Sequence, residues 1–252
     1  MLQSYIYKIN GAKDLSSIAT NLQAVYQQIH KAEEKYKRVK NSVAVVAVSK
    51  LHGIADVNEA IAAGQLVFGE SYVQEALPKI AAIAKVRSDI VWHYIGRIQS
   101  NKIKYLANNF SWVQSVTLEE QAEKLSKYRP ENLQPLNICI EINLSGEQSK
   151  SGVALDNVFS LARNISGLPC LKLRGLMAIP APALDFATQF SVFKKLEAIW
   201  QQCKTQLQNE NNDVLLFDTL SMGMSDDFDA AIAVGSTMVR IGTAIFGQRH
   251  KK

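Results

Sequence analysis

Short apolar runs alternate with longer amphipathic segments along almost the whole chain, and this pattern predicts a single (β/α)8 barrel, the TIM-barrel architecture. Three observations carry that reading. The strands are apolar on both faces, as in Val-Ala-Val-Val-Ala-Val over 43–48, which is the pattern of parallel strands buried on both sides. The length of 252 residues matches one barrel of about 250 residues and leaves no room for a second full domain. The unusual polar residues fall at the C-terminal ends of the strands, where barrels carry their chemistry. Alternation alone also fits a doubly wound open sheet.

The elements follow in order. An amphipathic helix is predicted over Leu15–Arg38, with Ile18, Leu22, Val25, Tyr26 and Ile29 on one face. Eight strands are predicted over Val43–Ser49, Leu66–Gly69, Ile90–Ile95, Ser111–Val116, Leu136–Asn143, Leu171–Met177, Val214–Leu220 and Met238–Ile241. Helices between them are predicted over Ile54–Ala63, Tyr72–Lys85, Asn101–Asn108, Leu118–Tyr128, Leu155–Ile165, Leu184–Gln208 and Asp226–Val234. Gly64 and Gly235 sit where a helix ends in a left-handed residue. Thr117, three residues before Glu120, reads as a capping box. The expected layout is one domain: an N-terminal helix region over 1–42, the barrel over 43–247 and a basic tail over 248–252.

Composition narrows the partners. The 28 Lys and Arg against 23 Asp and Glu leave a net charge of +5, and Arg249, Lys251 and Lys252 supply three of those charges. No RRM, KH, zinc-finger or basic-helix pattern accompanies them, which speaks against nucleic acid. Cys139, Cys170 and Cys203 are an odd number without CxxC spacing, so neither a disulfide scaffold nor a metal site is expected. No apolar run approaches the ~20 residues of a membrane span, and the first residues lack a secretory pattern. A soluble cytoplasmic protein is the expectation.

The strand ends define a candidate site. Lys50 directly follows the first strand; at a barrel mouth, partial desolvation favours its neutral amine, the nucleophile of Schiff-base chemistry. Its plain alternative is a stem packed on apolar surface with the head in water. Ser225-Asp226-Asp227 and Gly242-Thr243-Ala244 open turns after the seventh and eighth strands, where barrels frequently hold phosphate. Simple capping by Ser225 explains the first turn but not the second. Arg240, near the end of an apolar strand, needs a partner: a bound phosphate, a ring nitrogen or an internal carboxylate. Glu141 and Arg174, on neighbouring strands, are expected to pair structurally. A lysine amine facing a phosphate site suits a ligand with an aldehyde and a phosphate. Both pyridoxal 5′-phosphate (PLP) and the substrate of a Schiff-base sugar-phosphate aldolase meet that description.

The motifs VAVSK (46–50), FGESYVQEA (68–76), WHYIGRIQSNK (92–102), INLSGEQSKSG (142–152), RGLMAIP (174–180) and LSMGMSDDFDAAIAVGSTMVRIGTAIFG (220–247) resemble, in order, the YggS/PROSC family of PLP homeostasis proteins. The resemblance implies a barrel like the N-terminal domain of alanine racemase, the type III fold of PLP proteins. It implies a PLP imine on Lys50, phosphate contacts from Ser225, Gly242 and Thr243, and a contact from Arg240 to ring nitrogen or phosphate. It implies a ring pocket lined by Ile95, His93, Ser221 and Met222. Ser71 stands where the family usually has Asn and offers a hydrogen-bonding group of shorter reach. Arg97 lies at a variable position and has no assigned role. The implied function is to bind, buffer and deliver PLP, with apo PLP enzymes as recipients and amino-acid and keto-acid balance affected, as a monomer without an established reaction. A monomeric amino-acid racemase is the alternative. It would need two acid/base groups on opposite cofactor faces, and alanine racemase takes its second, a tyrosine, from a further domain of a partner subunit.

Overall fold

The computed structural model describes residues 17–144, 151–210 and 216–248. The predicted start of the first helix at Leu15, the start of the seventh strand at Val214, residues 145–150 of the fourth motif and the tip Arg249–Lys252 lie outside the described residues.

Eight parallel strands close in sequence order into a barrel: β1 (Ala44–Val48), β2 (Val67–Glu70), β3 (Val91–Tyr94), β4 (Trp112–Val116), β5 (Leu136–Glu141), β6 (Leu171–Met177), β7 (Thr219–Ser221) and β8 (Met238–Ile241). Closure comes from β8 beside β1, with Val46 opposite Arg240 and Ala47 opposite Ile241. The open-sheet alternative is thereby excluded. Strands this apolar persist because each face is covered, one by the barrel's own interior and one by helices.

The helices are α1 (Ile18–Lys35), α2 (Ile54–Ala62), α3 (Val73–Ala84), α4 (Ile103–Asn109), α5 (Glu119–Tyr128), α6 (Val158–Ser166), α7 (Phe186–Asn209), α8 (Phe228–Val234) and the short α9 (Thr243–Phe246). Single 3-10 turns at Ser100–Lys102 and Leu155–Asn157 lead into α4 and α6. Helix α1 starts at Ser17, whose hydroxyl accepts from Thr20 N–H, and buries Leu22, Val25 and Ile29 against the barrel's outer layer. Its buried Glu33 accepts the Asn41 and Val43 N–H groups and so guides the chain into β1. Among the described residues no helix is long and apolar enough to cross a membrane.

Three local expectations are corrected. Thr117 is not the cap of α5; Leu118 occupies that position, and Thr117 N–H donates instead to Gln121 while Glu120 pairs with Lys124. Helix α8 begins two residues later than Asp226, because Asp227 Oδ1 accepts Met224 N–H and folds 224–227 as a turn ahead of the helix. Strand β7 is short: Arg174 takes the Leu216 carbonyl and the Asp218 carboxylate, drawing that backbone off the ladder.

Candidate functional site

Strand alternation sorts the C-terminal ends of the barrel. On β1, Val46 faces the axis, so Val48 and the turn at Lys50 come to the mouth on the same side. On β8, Met238 and Arg240 face inward while Val239 and Ile241 join the outer core. A cavity of about 600 Å³ opens at this mouth. Val48 and Lys50 line it from β1, Ser71 from the end of β2, and Ile95 from the end of β3. Ile179 follows β6, Met224, Ser225 and Asp226 follow β7, and Arg240, Gly242 and Thr243 close the ring from β8. Of the residues predicted for the site, Lys50, Ser71, Ile95, Ser225, Arg240, Gly242 and Thr243 therefore share one cavity. Gly96 lets the loop after β3 approach the Ser71 backbone, where any Cβ would collide.

His93, Ser221 and Met222 do not line the cavity. Met222 points into the layer between barrel and helices, since it alternates with the inward Ser221. His93 and Ser221 lie beneath the cavity, inside the barrel, at 2% and 0% exposure. They belong to a hydrogen-bonded chain with a fixed direction. Arg240 Nη1 donates to Ser221 Oγ at 2.7 Å, Ser221 Oγ donates to Gln114 Oε1 at 2.7 Å, and Gln114 Nε2 meets His93 Nδ1 at 2.7 Å. An amide nitrogen has only hydrogens to offer, so His93 Nδ1 is the acceptor and the imidazole is neutral. Burial, with the Arg174 charge behind it, pushes His93 down to about 3. The ring stacks on Trp112 at 4.9 Å, and Arg174 lies over Trp112 at 4.7 Å. Gln114 escaped the sequence reading; its position two residues after the inward Trp112 was the available signal.

Arg240 is 3% exposed and has no direct carboxylate partner among the described residues. Its guanidinium also donates to the Ser221 and Ala178 carbonyls at 2.9 and 2.8 Å. Burial lowers it to about 10, with Asp227 and Glu141 opposing from farther away, so it remains a cation at neutral pH. The expected Glu141–Arg174 pair does not form. Arg174 forks onto Asp218 at 3.0 and 2.7 Å, at the other end of the barrel, while Glu141 accepts from Ser151. Glu141 lies opposite Met177 at the C-terminal end of β5, while Arg174 sits three residues earlier on β6 at the bulge beside Ile138 and Cys139, so the two are at different heights of the barrel.

The two turns offer donors. Ile245 and Phe246 N–H both go to the Gly242 carbonyl, and the N–H groups of Ser225, Asp226, Thr243 and Ala244 find no acceptor among the described residues. With two hydroxyls and the buried Arg240 cation, this rim is built to receive an anion. Val48, Ile95 and Met224 add an apolar wall.

A closed barrel with a lysine, a buried arginine and donor-rich turns at its C-terminal mouth is a (β/α)8 domain of the alanine racemase N-terminal type. The profile of the family described as "Alanine racemase, N-terminal domain" matches residues 14–250. The chain is 46% identical over 233 residues to a pyridoxal phosphate homeostasis protein of Pasteurella multocida, covering 92% of this chain and 98% of that one. Its counterpart of the same name in Escherichia coli K12 is 44% identical over 236 residues, covering 93% and 98%. The chain belongs to this family of pyridoxal phosphate homeostasis proteins. Among solved structures, PipY of Synechococcus elongatus with PLP bound matches at 32% identity and a TM-score of 0.78, over 91% of this chain and all of PipY. An alanine racemase of Bartonella henselae shares the fold at 14% identity and a TM-score of 0.67, over 92% of this chain and 59% of the racemase.

Proposed function

We propose that this protein binds PLP at the C-terminal mouth of the barrel, holds it on Lys50, and serves intracellular PLP homeostasis by buffering the cofactor and handing it to apo PLP enzymes. The observation that carries the proposal is the gathering of Lys50, Arg240 and the Ser225 and Gly242–Thr243 turns around one cavity of about 600 Å³. The donor set fits the group: a primary amine for an aldehyde, free N–H groups and hydroxyls for a phosphate, a buried cation, and apolar side chains for a ring.

When bound, PLP supplies an aldehyde that condenses with an amine with loss of water. The chain's own residues do the rest. Ser225, Gly242 and Thr243 anchor the phosphate through the two turns, and Arg240 donates from the floor of the cavity. Val48 and Ile95 shield one side from water. Ser221 and Gln114 hold the arginine rather than touching the ligand. Among the described residues no tyrosine lines the cavity. The relatives at 44–46% identity are likewise named for homeostasis, which favours binding and delivery over racemisation.

Borohydride reduction of the PLP-loaded protein followed by peptide mapping tests the reading. The label is expected on Lys50 and absent from Lys50→Ala. The variant should keep weak affinity through the turns. A label elsewhere, or steady racemisation of alanine lost in Lys50→Ala, replaces the proposal. Faster reactivation of an apo PLP enzyme by the loaded protein than by equimolar free PLP supports delivery.

A further inference from the structure

A buried ion pair lies outside the barrel wall, directly behind the turn that carries Lys50. Glu70, at the end of β2, is fully buried, and Lys79 of α3 is 5% exposed. Lys79 Nζ donates to Glu70 Oε1 at 2.8 Å and to the Ser49 carbonyl at 2.8 Å. Ser49 Oγ donates to the same Glu70 oxygen at 2.6 Å, while Glu70 Oε2 is buried with no partner among the described residues. A buried pair with an orphaned oxygen is a poor source of stability, since desolvation offsets most of the attraction. Its geometry points to another use.

Ser49 is held at every polar atom. Its N–H donates to the Gly69 carbonyl, its hydroxyl to Glu70, and its carbonyl accepts from both His52 N–H and Lys79. The His52 bond closes a four-residue turn, Ser49–His52, with Lys50 and Leu51 at its centre. Leu51 has φ of 65°, a left-handed conformation that a branched L-residue adopts only when its surroundings hold it there. The Leu51 N–H is fastened to Glu75 Oε2 at 3.0 Å. Glu75 and Lys79 stand one turn apart on α3, so a single helix grips the peptide on each side of Lys50.

We propose that Glu70, Glu75 and Lys79 form a clamp that positions Lys50, fixing the strained turn so that the lysine stem leaves it toward the cavity. They are positioning residues; none of them lines the cavity. The inference rests on the PLP reading, because it assigns the clamp to the group Lys50 attaches. Its signature is selective: a displaced lysine weakens attachment of an aldehyde and leaves anchoring of the phosphate untouched.

Binding of PLP is compared with binding of pyridoxine 5′-phosphate, which carries an alcohol in place of the aldehyde, in wild type, Glu70→Gln/Lys79→Met and Glu75→Ala. The double variant removes both buried charges together. Its PLP affinity is expected to fall about tenfold, the scale of a misplaced reacting group, with pyridoxine phosphate affinity unchanged. Glu75→Ala leaves the buried pair intact and should show the same selectivity at about threefold, the scale of one hydrogen bond. Because Glu75→Ala touches no buried group, it decides the matter if the double variant does not fold. Equal losses for both ligands would mark a general structural role and overturn the clamp, as would PLP affinity unchanged in Glu75→Ala. Wild-type protein that binds neither ligand overturns the cofactor reading itself, and the clamp with it.

Discussion

Along β8 the residues alternate between two environments. Val239 and Ile241 face the helices and join an apolar cluster that reaches from Leu22 on α1 to Phe246 on α9. Met238 and Arg240 face the barrel axis, where, among the described residues, a small apolar cluster of Val46, Trp112, Cys139, Met177 and Met238 forms with Val67 and Val91 packed against it. Ordered polar groups share the axis with it, from the Arg174–Asp218 fork at one end to the Arg240–Ser221–Gln114–His93 chain below the cavity. The outer layer has the character of a core, stabilising by area removed from water. The interior gives up some of that area to aim one cation. Its polar groups are tolerable only because each is bonded to the next. The outer layer also holds a buried ion pair, Glu70–Lys79, and that pair sits behind Lys50.

If this division is right, damage to the two layers should read out differently. The largest stability effect belongs to the outer layer. Phe193→Ala on α7, fully buried, should cost about 3–5 kcal/mol in denaturant unfolding while leaving PLP affinity of the folded protein unchanged. A matching loss of affinity would break the comparison. Arg240→Ala should do the reverse, weakening PLP retention by at least about tenfold through loss of a charged donor, measured by equilibrium dialysis. Unchanged affinity would remove Arg240 from the site.

The finest test is titration of the interior. His93 is neutral in the folded protein, with its pKa near 3 against about 6.5 unfolded. Between those values the unfolded chain binds more protons, so stability rises with pH there. The contribution is fully present above about 6.5 and is lost as pH falls toward 3, at up to about 1.4 kcal/mol per pH unit. In His93→Asn that slope should flatten by one proton's worth in urea melts across this range. An unaltered slope would mean that His93 is not the neutral end of the chain.

How much was legible in the sequence differs by layer for the same reason. The outer layer wrote itself into the apolar runs, so all eight strands and the helices between them were readable to within a few residues. The exception was β7, which Arg174 shortens from the neighbouring strand β6. Capping was less legible: Thr117 and Ser225 have the right chemistry for caps, but Gln121 and Asp227 take over the local bonds. Inside the barrel, residue type located Lys50 and Arg240 because a charge after an apolar run has few explanations. It did not pair them correctly. Glu141 and Arg174 look complementary on adjacent strands, yet Glu141 sits opposite Met177 near the mouth while Arg174, lower in the barrel, pairs with Asp218. Gln114 and Lys79 were silent, since nothing in their neighbourhood marks an amide or a lysine as buried.

By itself the sequence determined the barrel, the end of it that carries chemistry, and the lysine, arginine and glycine-bearing turns at its mouth. Periodicity and residue type are local properties, and these features depend on little else. Tertiary structure decided which of those residues share a cavity, what holds Arg240, and what stands behind Lys50. These depend on strand register and on side chains that meet across long stretches of sequence: Ser221 with Gln114, and Ser49 with Lys79. No periodicity records such meetings, because closing the barrel creates them.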